Sequence, residues 1–451
     1  MTNKDSLAKA LIEVETLLNN EIFKDFRVGS LLSKYNEYLF RNRMPQKRWL
    51  WVVTHFMRFF VKGLLVSRPS KNLLSQRKIL LSKLADKNQC NRLIDPLKAA
   101  FQDESILYTP GCKNELYPLD FIRKINILFF LQLIFWLIKN TSKITYEYTS
   151  RNIPASSPQL CFHLMIQLVA AYNWHRVLNN TQLKIIVVDF DRDAKSSALI
   201  TASRVLNIKT ITLVHGVINP PFGYFPVIAD QIWLWSNFQK NQLEKMAGRA
   251  LSGYKIVGSP IVELFKRQKK VKHDGWRVGV AVNPMGAEIN KKFLANIVNN
   301  YLEIPDVHWI IKLHPSMNKH SFKVDINHPS VSILASSEIT NEVFFNTIDL
   351  LIVGNSGLGF EAVANDIPIA VIRHSDSEEG HDFIMVHYFR CPDISSSKDF
   401  ISFFKNLEKD EGFLNDLLVR EKAVILNEYY SAIDVDAEKN IIKALAYELG
   451  C

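Results

Sequence analysis

The sequence predicts an α/β protein with two doubly wound parallel sheets and a mostly helical N-terminal extension. From residue 184 onward, short apolar runs alternate with stretches of helical periodicity. The alternation falls into two series separated by the charged, apolar-poor segment 266–274, which we interpret as a linker. Residues 1–105, in contrast, contain long amphipathic stretches with few glycines or prolines. Strands that alternate with helices form parallel sheets, so two such domains are expected.

The two series define the predicted elements. In the first, the pattern predicts strands at 184–190, 209–215, 230–235 and 254–257, and helices at 194–206 and 237–247. In the second, it predicts strands at 277–282, 307–313, 331–334, 350–353 and 368–372, and helices at 288–301, 338–346, 358–365, 398–409 and 416–430. The predicted domains are a helical basic region 1–150, a first α/β domain 151–265, a second α/β domain 275–430 and a C-terminal helix 431–451.

The positive charge is concentrated near the N-terminus. The chain carries a net charge of +10, and residues 1–143 hold 24 Lys+Arg and 12 Asp+Glu, a net +12. Eleven basic residues and no acidic ones lie between Glu37 and Asp86, interleaved with Trp and Phe. This composition predicts that residues 38–85 contact an anionic inner-membrane surface, where each basic side chain adds ~1 kcal/mol. A basic helical domain with buried aromatics is the alternative. Nucleic acid is not expected, because no recognition motif accompanies the charge.

A second apolar segment lies at residues 125–138 and is too short to span a bilayer. We expect a buried helix there, with an in-plane interfacial helix as the alternative. The N-terminal residues form no secretory signal, and the five cysteines show no CxxC spacing. These features predict a cytoplasmic protein, peripherally associated with the inner membrane, with no metal site and no cofactor.

Candidate donor-binding residues follow two predicted strands. The run 350–353 leads into Asn355, Ser356 and Gly357 at a predicted helix start, where free N–H groups favour an anion. Glu361 lies in the first turns of that helix, where its carboxylate could hold ribose hydroxyls. An ordinary helix cap is the alternative for this turn.

The run 307–313 leads into the second part of the predicted donor site. His314 and Pro315 follow this strand, and Lys312 precedes His314 by two residues, so both cationic side chains share one strand face. Asn283, at the end of strand 277–282, completes the set. Ligands of parallel sheets bind at the carboxyl ends of the strands, so these residues predict a phosphate site.

Candidate catalytic residues follow two strands of the first series. Asp189 and Asp191 come after strand 184–190, and either carboxylate could act as a general base toward an acceptor hydroxyl. We favour Asp191, because it lies in the turn rather than in the strand. His215 ends strand 209–215 and is followed by a glycine that permits close backbone approach. Helix capping and a structural loop histidine are the alternatives.

The order of these motifs across residues 184–375 resembles bacterial GT-B glycosyltransferases of capsule and lipopolysaccharide synthesis. It is most similar to the sialyltransferase-like and Kdo-transferase-like enzymes, which have a His-Pro motif and a serine motif. The resemblance implies two Rossmann-like domains facing a cleft, with the acceptor on domain 151–265 and the nucleotide sugar on domain 275–430. It also implies that His314 and Ser356 contact the phosphate of a CMP-linked ulosonic acid such as sialic acid or Kdo. Here Asn355 stands where those families usually pair a second hydroxyl with the serine.

The resemblance implies an inverting, metal-independent transfer from a nucleotide sugar to a bacterial surface glycan or its lipid-linked precursor. An acidic residue of the first domain would then be the base. The alternatives are a UDP-sugar-dependent glycosyltransferase, a glycerophosphate transferase, a nucleotide-sugar 2-epimerase and a non-catalytic glycan-binding scaffold.

Overall fold

The computed structural model describes residues 3–40, 74, 76–83, 88–108, 127–216, 218, 224–266, 275–282, 306–315, 317, 328–373, 383–410 and 412–451. The chain forms two compact units. Unit 1 comprises Met1–Ile261 together with Val435–Cys451, and unit 2 comprises Val262–Asp434.

Unit 1 is built on a six-stranded parallel sheet. The strands are β1 (Ile22–Phe23), β2 (Phe26–Arg27), β3 (Ile79–Ser82), β4 (Ser105–Tyr108), β5 (Ile185–Val188), β6 (Lys209–Leu213), β7 (Gln231–Leu234) and β8 (Tyr254–Ile256). β1 and β2 form a short antiparallel pair, and the other six are ordered β4-β3-β5-β6-β7-β8. β5 is buried along its whole length, as expected for a central strand that is covered on both faces.

Helices cover the sheet of unit 1. They are α1 (Asn3–Leu18), α2 (Val28–Leu31), α3 (Ser33–Phe40), α4 (Asn88–Ala100), α5 (Ile127–Thr149), α6 (Ser157–Leu178), α7 (Ala194–Val205) and α8 (Asn237–Ala247). Apolar side chains of α1, α5, α6 and α7 pack in one core with Leu80, Ile186 and Val188 of the sheet. The Asp193 side chain caps α7 by accepting a hydrogen bond from the Lys195 amide.

The domain boundary predicted at residue 150 does not separate a helical region from the sheet, because β3 and β4 both come from residues 1–150. Residues 105–108 have the strand conformation and join the sheet through β3. β3 is a four-residue, fully buried run whose neighbours in sequence are basic, so its apolar signal is short and surrounded by charge.

Unit 2 contains a second parallel sheet. Its elements are β9 (Trp276–Val282), β10 (Val307–Leu313), β11 (Val331–Leu334), α9 (Asn341–Thr347), β12 (Leu350–Val353), α10 (Leu358–Ala364), β13 (Ile369–Val371), α11 (Ser397–Lys409) and α12 (Phe413–Val424). The strand order is β11-β10-β9-β12-β13. The aromatic side chains Phe400, Phe403 and Phe404 of α11 pack into the core beside Trp309 of β10. Two α/β units of parallel strands are thus confirmed.

The last helix, α13 (Asp434–Leu449), belongs to unit 1 from Val435 onward, although unit 2 precedes it in the sequence. The Glu448 carboxylate forms ion pairs with Lys209 at the start of β6 and with Lys255 in β8. The C-terminal helix predicted at 431–451 is therefore a component of the first sheet's packing.

The described part of the predicted apolar segment 125–138, residues 127–138, forms the start of α5, and only one face of the helix is buried. Phe129, Leu133 and Leu137 are buried, whereas Phe135 and Ile138 are more than 70% exposed. The prediction of a buried helix is therefore wrong for the side of α5 that faces away from the core. A helix that packs on one side against a core buries only that side. Within the described ranges, no helix is both long and apolar enough to cross a membrane.

Three further predictions concern residues that are not described. Of the basic region 38–85, the structure describes 38–40, 74 and 76–83, so the proposed membrane contact lies largely outside the described residues. Asn283 and the predicted helix 288–301 also lie outside them.

Candidate functional site

Two loops leave the carboxyl edge of the unit 2 sheet at the same level. Lys312 of β10 and Val353 of β12 both pair with Ala281 of the intervening strand β9. Adjacent strands lie 4.7–4.9 Å apart, so these two positions are separated by about 9.5 Å. His314 follows Lys312 by two residues, and Ser356 follows Val353 by three. The His-Pro segment and the serine segment are therefore brought to one edge, as the sequence predicts.

The turn after β12 is organised by Ser356, which is buried. Its amide donates to the carbonyl oxygen of Gly354 at 2.8 Å, and its hydroxyl accepts from the Leu358 amide at 3.3 Å. Asn355 and Gly357 are half-buried beside it. The serine hydroxyl thus serves the start of α10. Because α10 has only seven residues, its helix dipole is small.

The His-Pro segment forms a turn at the end of β10. The carbonyl oxygen of His314 accepts a hydrogen bond from the Met317 amide at 2.8 Å. Pro315, inside that turn, is exposed, and the His314 side chain is half-buried. The turn leaves the imidazole of His314 partly accessible at the sheet edge.

Lys312 lies beneath the edge rather than on it. Its side chain is 7% exposed, and its Nζ donates to the carbonyl oxygen of Ile339 at 2.7 Å and lies 5.5 Å from the ring centre of Phe344. Burial lowers the pKa of Lys312 to about 8, and the charge of Glu361 acts in the opposite direction. The side chain of Lys312, which we predict to take part in phosphate binding, is therefore a buried cation that interacts with Glu361.

Glu361 joins the loop before α9 to this edge. Its half-buried carboxylate accepts from the side-chain amide of Asn341 at 3.3 Å. Asn341 starts α9, two residues after the Ile339 carbonyl that holds Lys312. Ile339 and Asn341 were not predicted as site residues, because nothing in their local sequence indicates contact with segments 20 or more residues away.

At the carboxyl edge of the unit 1 sheet, His215 is held by the backbone that follows β5. Its Nδ1 donates to the carbonyl oxygen of Asp189 at 2.6 Å. The rings of Phe190 and Tyr224 lie against the imidazole at centroid distances of 5.4 and 5.9 Å. A carbonyl oxygen can only accept, so Nδ1 carries a proton, and Nε2 is the acceptor in the tautomer that this bond selects. His215 is half-buried, which leaves it the most accessible of the three predicted catalytic residues.

The two predicted catalytic aspartates are fully buried. The Asp191 carboxylate accepts from the amides of Ile228 at 2.8 Å and Ala229 at 3.3 Å, and its second oxygen has no partner within the described segments. Burial raises the pKa of Asp191, and the two amide hydrogen bonds oppose that shift. In this structure Asp191 secures the loop before β7, and neither carboxylate faces solvent.

A buried ion pair beside Asp191 was not predicted. The guanidinium of Arg192 donates to both carboxylate oxygens of Glu15, at 2.9 and 2.8 Å, and both side chains are almost fully buried. Asn36 also donates to Glu15, at 3.0 Å. The pair ties the turn after β5 to α1. The sequence offers three aspartates close to Arg192 and no signal for a partner 177 positions away.

Over the described ranges of the chain, no cluster of three or more His, Cys, Asp or Glu side chains is arranged to hold a metal ion. No protein-family model matches the sequence, and no curated protein is significantly similar to it.

Solved structures match most of the chain. S. aureus MnaA in a co-structure with UDP aligns with a TM-score of 0.50 and 12% identity, over 83% of this chain and 97% of that one. The glycotransferase of kitacinnamycin aligns with a TM-score of 0.50 and 8% identity, over 85% and 100%. The fold is GT-B. At these identities the similarity to known structures concerns the fold alone, and it confirms the predicted fold class of this GT-B chain.

Proposed function

We propose that this GT-B chain is a nucleotide-sugar-dependent glycosyltransferase whose donor nucleotide binds at the carboxyl edge of the unit 2 sheet. The proposal rests mainly on the strand register. Lys312 and Val353 both pair with Ala281 of β9, so the residues that follow them, His314 and Ser356, lie at the same edge of the sheet. Parallel sheets bind ligands at this edge. The UDP in the MnaA co-structure supports UDP as the first nucleotide to test. CMP-linked ulosonic acids, suggested by the motif order, are the second donors to test.

In this proposal the side chains of His314 and Asn355 donate hydrogen bonds to donor phosphate oxygens. Protonated Lys312, below them, adds a positive charge that is attenuated little in its buried position. The negative charge that develops on the leaving nucleotide is stabilised by these groups as the glycosidic bond to phosphate breaks. The carboxylate of Glu361, which is restrained by Asn341, accepts hydrogen bonds from the ribose hydroxyls of the donor.

In the same proposal, His215 is the general base that deprotonates the acceptor hydroxyl. Its Nε2 takes the proton of an acceptor hydroxyl while the hydroxyl oxygen forms a bond to the anomeric carbon and the nucleotide departs with the bonding electron pair. A single displacement of this kind inverts the anomeric centre. The bond from Nδ1 to the Asp189 carbonyl supports this assignment, because it fixes the tautomer with a basic Nε2. The acceptor is a bacterial surface glycan or its lipid-linked precursor, and the transfer requires no metal ion.

Nucleotide binding tests the donor site. Calorimetric titration of UDP and CMP should show binding by the unaltered protein and affinity reduced by roughly tenfold or more in His314→Ala, as expected for loss of a hydrogen bond to a charged group. His308→Ala is the matched control, since His308 lies at the opposite end of the same strand and contacts Ser332. Equal affinity in the His314 variant, with the fold retained, would exclude this donor site.

Product analysis distinguishes the rival activities. The protein is incubated with UDP-sugars, CMP-linked ulosonic acids and CDP-glycerol, each with and without a lipid-linked glycan. Nucleotide released only when acceptor is present indicates a transferase, and the consumed donor identifies its class. Epimerised donor without acceptor indicates a 2-epimerase. Tight binding without any turnover indicates a glycan-binding scaffold and refutes the proposal.

A further inference from the structure

The exposed side of α5 carries a continuous apolar face. We define the apolar face by five side chains that are 37–74% exposed: Leu128, Leu131, Ile134, Phe135 and Ile138. Their spacings of three and four residues put them on one side of the helix. The face extends about 15 Å along the helix axis. Clusters of exposed large apolar side chains on a folded surface mark sites of interaction.

The other side of α5 fixes this helix in the protein. Phe129, Leu133, Leu137 and Ile144 are buried in the core of unit 1. The ring of Phe129 stacks on Tyr172 of α6 with the centroids 3.8 Å apart. The apolar face is therefore presented by a helix whose orientation is set by the core, and exposing it requires no rearrangement.

Basic side chains border the apolar face. Lys139 is exposed one helical turn beyond Phe135. Lys24 lies 5.2 Å from the ring centre of Phe129, which follows Leu128 of the face directly, and exposed Arg176 lies 5.9 Å from the ring centre of Tyr172, on which Phe129 stacks. Lys143, one helical turn beyond Lys139, is paired with Glu21 and adds no net charge. Large apolar side chains bordered by Lys and Arg match the boundary between anionic headgroups and acyl chains.

We propose that the apolar face of α5 docks on an anionic lipid surface, with the helix in the membrane plane and Leu131, Phe135 and Ile138 inserted among the acyl chains. Charge complementarity favours lipid over a second copy of this chain, because a two-fold contact through the face would bring the basic borders of both copies together. The face also has far fewer residues than the ~20–30 per side of a stable protein interface. This docking site is defined by residues of α5 alone and does not rest on the proposed transfer reaction.

Flotation of the full chain with vesicles tests the docking site. Vesicles of phosphatidylcholine alone are compared with an equimolar mixture of phosphatidylcholine and phosphatidylglycerol. The protein should float with the anionic vesicles. The variant Leu131→Gln/Phe135→Gln/Ile138→Gln should lower partitioning by roughly tenfold or more, since each change removes apolar burial. The control Val343→Gln/Val419→Gln/Val435→Gln alters three other exposed apolar side chains and should float like the unaltered protein.

A Phe135→Trp variant adds a ninth tryptophan and preserves the apolar character of the face, so the difference between its fluorescence and that of the unaltered protein reports insertion. Its fluorescence should shift to shorter wavelength on addition of anionic vesicles and be quenched by brominated acyl chains. Unchanged flotation of the triple-Gln variant, absence of the shift, or equal binding to neutral vesicles would overturn the proposal. So would a dimer of the unaltered protein that the triple-Gln variant dissociates without any lipid binding, as measured by analytical ultracentrifugation.

Discussion

Nδ1 of His215 donates to the carbonyl oxygen of Asp189 across a distance of 2.6 Å. The contact follows from the sheet order, because β5 and β6 are neighbours and the residues after them meet at the carboxyl edge. It connects two positions that the sequence suggests as separate catalytic candidates. Asp189 contributes its backbone carbonyl oxygen to this contact, and His215 keeps Nε2 for another partner.

We expect His215→Ala to lower kcat by about 10²–10⁴-fold, the usual contribution of a general base. The dissociation constant for the nucleotide should not change, because the proposed donor site is built from residues of unit 2. Transfer rates and calorimetric titration on the same preparation measure both quantities.

Asp191→Asn is the control that separates the two assignments of the base. An asparagine oxygen can still accept from the Ile228 amide, so transfer should fall much less than in His215→Ala. A larger loss of kcat in Asp191→Asn than in His215→Ala would return the role to the aspartate.

Lys312→Met should flatten the alkaline pH dependence of stability. Burial lowers the pKa of Lys312 from 10.5 to about 8, so the unfolded chain binds more protons between these values. The free energy of unfolding should therefore rise with pH from 8 to 10.5 by up to roughly 3 kcal/mol in the unaltered protein, and the variant should lack that rise. Urea titrations across this range measure it, and Lys443→Met, at an exposed lysine, should behave like the unaltered protein.

His163 should make the protein sensitive to acid. Burial lowers its pKa to about 4, and its Nε2 donates to the carbonyl oxygen of Leu31 at 3.1 Å. The unfolded chain binds a proton near pH 6.5, so stability is full above that pH and is lost as pH falls toward 4, by up to roughly 3 kcal/mol. His163→Gln retains a donor for Leu31 and should reduce this slope. An unchanged slope in thermal melts between pH 4 and 7 would contradict the assignment; His387→Gln, at an exposed histidine, is the control.

The buried pair of Glu15 and Arg192 should show strong coupling. Arg192→Met leaves a buried carboxylate without its cation and should cost about 3–5 kcal/mol of unfolding free energy, and Glu15→Met should cost a similar amount. The double variant should cost clearly less than the sum, because no lone charge remains. Urea unfolding of the four proteins gives the coupling energy, and simple additivity would contradict the prediction.

Much of the fold could be predicted because central parallel strands are buried on both faces and read as continuous apolar runs. The strands 307–313, 331–334 and 350–353 have the predicted bounds. β3 was missed, since three apolar residues and a serine amid basic residues give too weak a signal. The sequence also predicted that the His-Pro and serine segments share a sheet edge.

Side-chain directions at the sites could not be predicted. Lys312 turns inward because the carbonyl oxygen of Ile339, 27 residues later, accepts a hydrogen bond from its Nζ. The carboxylate of Asp191 is held inside the protein by hydrogen bonds from the amides of Ile228 and Ala229, which lie 37 and 38 residues further along the chain. Such partners depend on how distant loops pack, and periodicity holds no information about that.

The return of α13 to unit 1 has a consequence for synthesis on the ribosome. The residues of unit 2 are contiguous, so this unit can be completed while the growing chain still lacks α13. Until α13 emerges, Lys209 and Lys255 lack Glu448, their shared counter-ion. The unit that begins first is therefore finished last, and a nascent chain stopped before residue 435 would carry an incomplete first unit beside a complete second one.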